Sequence, residues 1–299
     1  MTAPPNHRPE PAAPLHDLTV VVVTFNSAHC LPALGRSLAG FPHVTVVDNA
    51  SADGTLDAVR AHLPQAQVLA NPRNLGFGAA NNRALQQAST PYCLLLNPDC
   101  EVEAGQVLRL LAQAQAHPDA AMVVPQLMRG SGQPEINYRW PVTAWPSSGP
   151  GAIGPCCVGF ACGAAWLLNM RVMQEIGFFD EGFFLYYEDD DLCQRIFERR
   201  KAIVLIPEVQ LVHASRGSVR GASPWRAEYL RGYHHAQSKI RFTAKYQGAA
   251  QAQTLRRRVL WLALLSLPLR LLLPTPRHLA RLAGRIGGLW SMPPGALAA

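Results

Sequence analysis

Uninterrupted apolar runs alternate with amphipathic segments through the first half of the chain. The first run, residues 18–24 (LTVVVVT), has no polar alternation, which is typical of a strand buried on both faces of a parallel sheet. Similar runs follow, each after a segment with helical spacing. This alternation predicts a doubly wound α/β domain. The predicted strands are 18–24, 44–48, 67–69, 92–97 and 120–125, and the predicted helices are 31–39, 54–62, 78–87 and 103–116.

The pattern changes in the second half of the chain. Residues 128–155 are rich in Gly, Pro, Ser, Trp and Arg and show no period, and an irregular stretch of this length inside an enzyme is usually a binding loop. Beyond it, apolar spacing predicts further strands and short helices, and the end of the chain predicts two longer helices. The predicted strands are 158–168 and 202–207, and the predicted helices are 171–176, 191–200, 226–246 and 254–273.

Composition narrows the class of protein. The 299 residues are 48% hydrophobic and 16% charged, which excludes wholesale disorder and indicates one large domain or one domain with an appendage. The seven cysteines are odd in number and lack the paired Cys-x-x-Cys spacing of a zinc site, so we expect reduced thiols in a cytosolic protein. Residues 1–16 carry five prolines and no apolar stretch, which predicts a disordered leader rather than a signal peptide.

Charge is unevenly distributed along the chain. The net charge is +7, but from Val212 onward fourteen Lys and Arg residues face a single acid, so an acidic body precedes a basic tail. The tail contains the apolar run 259–273 (VLWLALLSLPLRLLL), which Arg270 interrupts and which is too short to span a bilayer. This combination favours an anionic membrane surface over nucleic acid as the partner of the tail. A basic, solvated helical cap is the alternative.

Polar side chains follow three of the predicted strands, at the sheet edge where ligands bind in doubly wound folds. No Gly-x-Gly-x-x-Gly follows the first strand and no Gly-Lys-Ser/Thr occurs, which disfavours a dinucleotide oxidoreductase and a P-loop NTPase. Taken singly, Asp48 or Asp99 is typical of a turn. However, a carboxylate at the end of an apolar strand is costly unless it is solvated or meets a cation, which Mg²⁺ or Mn²⁺ on a diphosphate would supply. These edge residues are Thr24, Asn26, Asp48, Asn49, Asn97 and Asp99.

The densest group of candidate residues lies in 177–195, GFFDEGFFLYYEDDDLCQR. Four consecutive acids, residues 188–191, precede a predicted helix whose N-terminal dipole tolerates part of their charge. Asp191 and Arg195 have the i, i+4 spacing of an ion pair. Capping and ion pairing explain one or two of the acids, and repulsion among the rest favours proton uptake by one of them, which suits a general base. His213 is equally typical of a metal ligand and of a buried structural imidazole.

An ordered set of motifs resembles the family 2 inverting glycosyltransferases of the GT-A fold, specifically their rhamnosyltransferase-like branch. The resemblance covers about residues 18–245. It implies a Rossmann-like mixed, mainly parallel sheet with helices on both faces, followed by C-terminal helices. The motifs are VVVTFN, VVDNASADGT, NPRNLGFGAANNRA, LLLNPD, GFACGAAWL, FFDEGFFLYYEDDDLCQR and the segment from His213 to Ser218.

The resemblance implies a role for each matching position. Asn97-Pro98-Asp99 takes the place of the family's Asp-x-Asp motif, so Asp99 is implied as a metal ligand, although Asn97 replaces the first acid. His213 is similar to a histidine of the metal or diphosphate site. Glu188-Asp189 resembles the catalytic Glu-Asp pair, with Asp189 as general base. The implied donor-binding residues are Thr24 and Asp48 for the base and ribose, with Asn26, Arg73, Asn74, Gly76, Asn82 and Asn97 around them.

The implied reaction is metal-dependent inverting sugar transfer, with Mg²⁺ or Mn²⁺ as cofactor. The donor is a nucleoside diphosphate sugar, best matched by dTDP-rhamnose, and the acceptor is a glycan or lipid-linked glycan of a bacterial cell surface. We expect a cytoplasmic protein peripheral to the inner face of the membrane. Residues 17–127 would form the nucleotide-sugar half and 128–225 the acceptor half of the domain, with 226–299 as an amphipathic basic tail. Transfer of galactofuranose or an N-acetylhexosamine, and a scaffold without turnover, stay open, whereas a nucleotidyltransferase would need a basic Gly-rich loop after the first strand.

Overall fold

The computed structural model describes residues 15–139, 151–214, 217, 223–272 and 275–293. Most of the predicted leader lies outside these residues. Leu15–Asp17 form a 3₁₀ turn, so regular structure begins before the predicted boundary at residue 17. The strands are β1 Leu18–Thr24, β2 Val44–Asp48, β3 Gln67–Ala70, β4 Tyr92–Leu96, β5 Cys100–Glu101, β6 Met122–Met128, β7 Tyr138–Arg139, β8 Cys156–Val158, β9 Phe160–Ala161, β10 Ala165–Asn169 and β11 Ile203–His213. The helices are α1 Leu31–Leu38, α2 Thr55–His62, α3 Phe77–Leu85, α4 Ala104–Ala116, α5 Met170–Ile176, α6 Glu188–Glu198, α7 Pro224–Gln247, α8 Ala249–Leu272 and α9 Pro276–Trp290.

The central sheet is mixed and mainly parallel, as predicted. Its strand order is β3-β2-β1-β4-β10-β6-β11-β5, with β8 paired to β11. Strands β1, β2, β3 and β4 run parallel, and so do β6 and β11, whereas β10 runs antiparallel to both of its neighbours. Valines and leucines of these strands are buried in two apolar layers, one on each face of the sheet. The sheet is therefore continuous across the predicted boundary at residue 127.

The predicted strand 158–168 is wrong as a single element. It is divided into the end of β8, β9 and β10, and β9 pairs with β7 in a separate two-stranded sheet. Between β9 and β10 the backbone leaves the strand pattern, and the Cys162 amide donates to the Asn137 carbonyl at 3.0 Å. All of these segments are apolar, so the local pattern did not distinguish one strand from three.

Two other boundaries differ from the predictions for local reasons. Helix α6 begins at Glu188 rather than 191, so all four acids lie in its first turn, after Tyr187 in a left-handed conformation. The strand predicted at 202–207 continues to His213, because a register irregularity between Ile206 and Gln210 lets β11 remain paired with β6. His213 thereby lies at the end of a sheet strand, opposite Cys100 of β5.

Three helices, rather than two, form the C-terminal unit. The sequence did not predict α9, because Gly284, Gly287 and Gly288 are poor helix formers. These glycines allow close packing on α7: a Cβ at Gly284 would collide with the Tyr229 carbonyl, and one at Gly232 of α7 with the Arg281 carbonyl. No helix in the described part of the chain has both the length and the apolar character needed to cross a membrane.

Candidate active site

The ends of β1 and β2 meet through Thr24 and Asp48. The Thr24 hydroxyl donates to Asp48 Oδ1 at 3.1 Å, and the Ser51 amide donates to Asp48 Oδ2 at 3.0 Å. Asp48 is 1% exposed, so these bonds hold its charge where the turn after β2 begins. The carboxylate organises the floor of the predicted nucleotide pocket.

Asparagine side chains connect the loops around this floor. Asn26, which has a positive φ, accepts a hydrogen bond from the Ala52 amide at 2.8 Å and so ties the loop after β1 to the loop after β2. Buried Asn49 accepts from Asn71 and donates to Asn74 Oδ1 at 2.8 Å. The sequence placed Asn49 at the sheet edge but did not reveal that it supports the loop carrying Asn74.

The same loop binds the acidic segment of the second half. Gly76 has φ +92°, and a Cβ there would collide with the Phe184 carbonyl, while the Phe77 amide donates to that carbonyl at 3.0 Å. Asn82 of α3 donates to the Phe179 carbonyl at 2.9 Å and accepts from the Phe179 amide at 2.9 Å. Gly76 and Asn82 therefore hold the segment that leads to the catalytic candidates.

Asp99 lies between β4 and β5 and is nearly buried. Its Oδ2 accepts a hydrogen bond from the Gly217 amide at 2.9 Å. Within the described residues, its buried Oδ1 accepts no hydrogen bond, and His213 Nε2 lies 3.6 Å away. His213 Nδ1 in turn lies 3.4 Å from Glu135 Oε2. Two carboxylates and an imidazole thus converge, and one buried carboxylate oxygen has unused acceptor capacity.

This donor set fits a hard divalent cation. Ligand atoms of Asp99, Cys100 and His213 all lie within 4.8 Å of one another. Burial raises the pKa of the Cys100 thiol well above its usual range, and that thiol donates to the Ala164 carbonyl at 3.5 Å, so it stays protonated and is a poor ligand. The oxygen of Asp99 and the nitrogen of His213 remain, with Glu135 behind the imidazole. Carboxylate oxygen and imidazole suit Mn²⁺, and the oxygen suits Mg²⁺.

Two of the four acids in the first turn of α6 have structural partners. Asp190 forms an ion pair with buried Arg139, at 2.5 Å. Asp191 is fully buried. Its carboxylate accepts hydrogen bonds from Arg195 Nε at 2.9 Å and from the Tyr246 hydroxyl at 2.7 Å, and it forms an ion pair with Lys245 Nζ at 2.6 Å. The predicted Asp191–Arg195 ion pair is confirmed, and Asp191 also joins α6 to α7.

Glu188 and Asp189 are the acids left for chemistry. Burial, followed by the charges of Asp189 and Asp190, raises the pKa of Glu188 well above its usual range, and its Oε2 accepts no hydrogen bond from the described residues. Burial, followed by the charge of Asp190, raises the pKa of Asp189 to about 7. A carboxylate with a pKa near neutrality can accept a proton at the pH of a cell.

The metal-ligand candidates and the acidic pair both lie close to the connection between β9 and β10, through Cys100 and Asp189 respectively. Cys162 lies in the connection between β9 and β10, where the charges of Asp189, Glu135 and Glu188 all raise the pKa of its thiol, after the larger effect of burial. The next residue, Gly163, lies against Asp189. A Cβ built at position 163 would be 3.6 Å from the Cβ of Asp189. The loop that leads into β10 thus lies between Asp99 and Glu135 on one side and Glu188 and Asp189 on the other.

The predicted donor-binding residues do not all make comparable contacts. Thr24, Asn26, Asp48, Asn74 and Gly76 form one hydrogen-bonded floor. Asn97 is half-buried beside Asp99, and its backbone amide donates to the Ala164 carbonyl. Arg73 is exposed on the loop beside that floor. Glu135 was missed because it lies in the irregular stretch after β6, where no pattern distinguished it; residues 140–150 of that predicted binding loop lie outside the described residues.

Comparison with known proteins agrees with this fold. The mixed sheet, with a polar cluster at the ends of its strands, defines a GT-A-type fold. The model of glycosyl transferase family 2 matches residues 19–177, more than half of the chain, and the chain belongs to this family of glycosyltransferases.

Curated relatives extend beyond the family match. The chain is 28% identical over 276 aligned positions to the N-acetylglucosaminyl-diphospho-decaprenol L-rhamnosyltransferase of Mycobacterium tuberculosis, covering 77% of this chain and 85% of that protein. It is 26% identical over 213 positions to the low-salt glycan biosynthesis hexosyltransferase Agl10 of Haloferax volcanii, covering 67% of each. Among solved structures, the mannosyltransferase PcManGT from Pyrobaculum calidifontis, in complex with GDP-Man and Mn²⁺, superposes with a TM-score of 0.56 at 18% identity, covering 93% of this chain and 88% of that one.

Proposed function

We propose that this glycosyltransferase inverts the anomeric carbon of a nucleoside diphosphate sugar, using a divalent metal held by Asp99 and His213 and a proton acceptor at Asp189. One observation carries the proposal. The buried Asp99 Oδ1 accepts no hydrogen bond from the described residues, and Asp189 has a pKa near 7. Cys100, next to Asp99, donates to Ala164 of the loop before β10, and Asp189 lies against Gly163 of the same loop. Asp99 Oδ1 provides a place for a cation, and Asp189 a base. A scaffold without turnover would need neither.

Asp189 is the residue that moves the proton. As the acceptor hydroxyl attacks the anomeric carbon, Asp189 takes its proton and the bond from that carbon to the diphosphate oxygen breaks. One displacement inverts the centre, so a single ionised carboxylate is sufficient. Burial and the charges of Asp189 and Asp190 favour the neutral form of Glu188, the other acid of the pair.

The metal would lower the cost of the charge that develops on the departing diphosphate. Asp99 would hold it through Oδ1, with His213 as the second ligand and Glu135 orienting the imidazole through its other nitrogen. Mn²⁺ in the related mannosyltransferase structure supports a divalent ion of this kind. The floor around Thr24 and Asp48 would receive the nucleoside.

For the transferred sugar, we propose L-rhamnose from dTDP-rhamnose, and for the acceptor a lipid-linked glycan. The rhamnose and the acceptor are supported by the mycobacterial relative, an N-acetylglucosaminyl-diphospho-decaprenol L-rhamnosyltransferase, and the dTDP donor by the family resemblance of the motifs. A lipid-linked acceptor agrees with attachment of the basic C-terminal helices to the cytoplasmic face of a membrane, because α8 exposes Trp261 and Leu265 to solvent.

The test is release of nucleoside diphosphate from a panel of nucleotide sugars, with Mn²⁺, with Mg²⁺ and with a chelator. We expect turnover of dTDP-rhamnose only with metal, and calorimetry should show that Asp99→Ala loses the metal-dependent part of nucleoside diphosphate binding. Asp57→Ala, on an exposed helix surface, is the matched control. Equal metal-dependent binding by the Asp99 variant would contradict the metal assignment, and turnover of another sugar alone would contradict rhamnose.

A further inference from the structure

A groove with a volume of about 210 Å³ opens between the three C-terminal helices, away from the nucleotide floor. Its polar lining includes His235 and Lys239 of α7 and Arg285 of α9. Its apolar lining, called the apolar wall below, comes from all three helices and includes Ile240, Leu262 and Leu289. The groove therefore offers cations and hydrocarbon side by side.

The cations around this groove all lower the pKa of one residue, His235. Burial, followed by the positive charges of Arg285, Lys239 and Arg281, lowers the pKa of His235 to about 4. Arg281 is compensated by Glu228, at 3.3 Å. Across the described part of the chain, no carboxylate lies within ion-pair distance of Lys239 or Arg285. The groove thus has two uncompensated positive charges beside a neutral imidazole, which is the charge pattern that attracts a phosphate.

The apolar wall is continuous with a larger exposed apolar surface. Leu262 lines the groove and is 56% exposed, and on the same helix Trp261 and Leu265 are more exposed still. An inorganic anion would use only the cations and leave this wall in water. An amphiphile with a phosphate at one end would cover both, so charge and hydrophobic complementarity select a phosphorylated lipid.

The groove is joined to the catalytic segment by direct contacts. The ring of His235 lies against Tyr186 and Tyr187, with centroids 5.6 and 5.5 Å apart. Ser238, on the same helix, donates to the Leu185 carbonyl at 2.9 Å. Tyr187 directly precedes Glu188, so a lipid phosphate in the groove would lie next to the segment that carries the catalytic pair.

We propose that this groove binds the phosphate end of a lipid, with Lys239 and Arg285 on the phosphate and Leu262 on the first carbons of the chain. The proposal rests on the proposed function in one respect, since it gives the lipid-linked acceptor a place of attachment. Binding itself requires neither donor nor turnover.

Calorimetry with decyl phosphate, below its micelle concentration, tests the proposal on the full chain. We expect saturable binding of decyl phosphate, at least tenfold tighter than that of inorganic phosphate or decanol. The double variant Lys239→Ala/Arg285→Ala should weaken it at least tenfold. Arg258→Ala/Arg277→Ala removes the same charge from exposed positions outside the groove and should leave it unchanged.

A second pair of variants tests the apolar wall. Leu262→Glu places an acid in the groove and should also weaken decyl phosphate binding, whereas Leu265→Glu, on an exposed part of α8 outside the groove, should not. Comparable binding of inorganic phosphate would make this a free-phosphate site and overturn the lipid assignment. Comparable binding of decanol, or unchanged binding in the groove variants, would overturn it as well.

Release of nucleoside diphosphate into water, measured without lipid, separates this proposal from the proposed function. The groove variants should match the parent in that reaction. If the parent itself releases none, the proposed donor chemistry fails, while the binding result still decides the groove.

Discussion

The sheet domain and the three C-terminal helices differ in how far their apolar side chains are buried. In the sheet domain, two buried layers cover both faces of the sheet, and even Trp166 and Leu94 are fully enclosed. Among the described residues, the helices enclose a small cluster that includes Ile240 and Leu289. Their larger apolar residues face outward: Trp261, Leu262, Leu265, Leu269, Leu271, Leu272 and Trp290.

This difference shows how two regions of one chain can serve different purposes. The sheet domain completes its own core, so its strand ends can carry costly groups such as a buried Asp99 and a buried Glu188. The helices approach one another through glycines and leave hydrocarbon uncovered, and an uncovered apolar surface of this kind marks an interaction site. The proposed function assigns chemistry to the first region and membrane attachment to the second, and four predictions test that division.

The largest expected effect is on catalysis in the sheet domain. Asp189→Asn should retain donor binding but lower kcat by about 10²–10⁴-fold, because the amide cannot accept the proton of the acceptor. The matched change on the helices, Glu228→Gln, should leave donor hydrolysis close to that of the parent. Transfer rates and calorimetry of donor binding would measure both. A fully active Asp189 variant would contradict the assignment of Asp189 as the general base.

A large effect on stability is expected where the two regions meet. Asp191→Asn leaves Arg195 and Lys245 without their buried carboxylate, so the free energy of unfolding should fall by about 3 kcal/mol, as in other broken buried ion pairs. Per folded molecule, transfer should be far less affected than in Asp189→Asn. Urea unfolding gives the value, with Asp57→Asn, in an exposed pair with Arg60, changing by less than about 0.5 kcal/mol. Equal losses in the two variants would contradict the buried role of Asp191.

The same leucine-to-alanine change should separate the two regions directly. Leu94→Ala removes a fully buried side chain and should cost about 2–5 kcal/mol of stability. Leu265→Ala, at a position 72% exposed, should stay within about 0.5 kcal/mol yet reduce sedimentation with phosphatidylglycerol vesicles. Unfolding curves and vesicle pelleting decide the matter. A strongly destabilised Leu265 variant would mean that this surface is covered.

The smallest effect concerns pH. The raised pKa of Asp189, about 7, means that the protonated, inactive form accumulates as pH falls through 7. We expect kcat/KM to rise toward a plateau above pH 8 and to fall about tenfold for each unit below 7. A profile that is flat between pH 6 and 8 would be at odds with Asp189 as the base.

Much of the parallel part of the fold could be predicted, because each strand there is a short apolar run between clear helices. The strand predicted at 18–24 matches β1 Leu18–Thr24. Less could be predicted where tertiary contacts decide the structure. The position of β10 in the sheet depends on pairing with strands that are distant in sequence. The glycines of α9 lower its helix propensity, but they allow the close packing on α7 that stabilises it.

The site divides along the same line. Asp99, His213 and the acidic pair stand in motifs and could be named from the sequence, and the structure brings Asp99 and His213 together. Glu135 could not be named, because a residue in an aperiodic stretch has no local feature that places it behind an imidazole 78 positions away. Nor could the sequence spacing show that the side-chain amide of Asn82 forms two hydrogen bonds with the backbone of Phe179.

The antiparallel β10 also affects how the protein folds. Strands β1 to β4 can pair as soon as they are synthesised, but β6 has both of its sheet neighbours, β10 and β11, later in the chain. Until β10 arrives, the edge of β4 is unpaired and β6 has no partner, and such long-range pairing is slow and exposes strand edges to aggregation. The order of synthesis therefore differs from the order of sheet assembly, and the loop before β10, which lies against Asp189, forms only when the middle of the sheet closes.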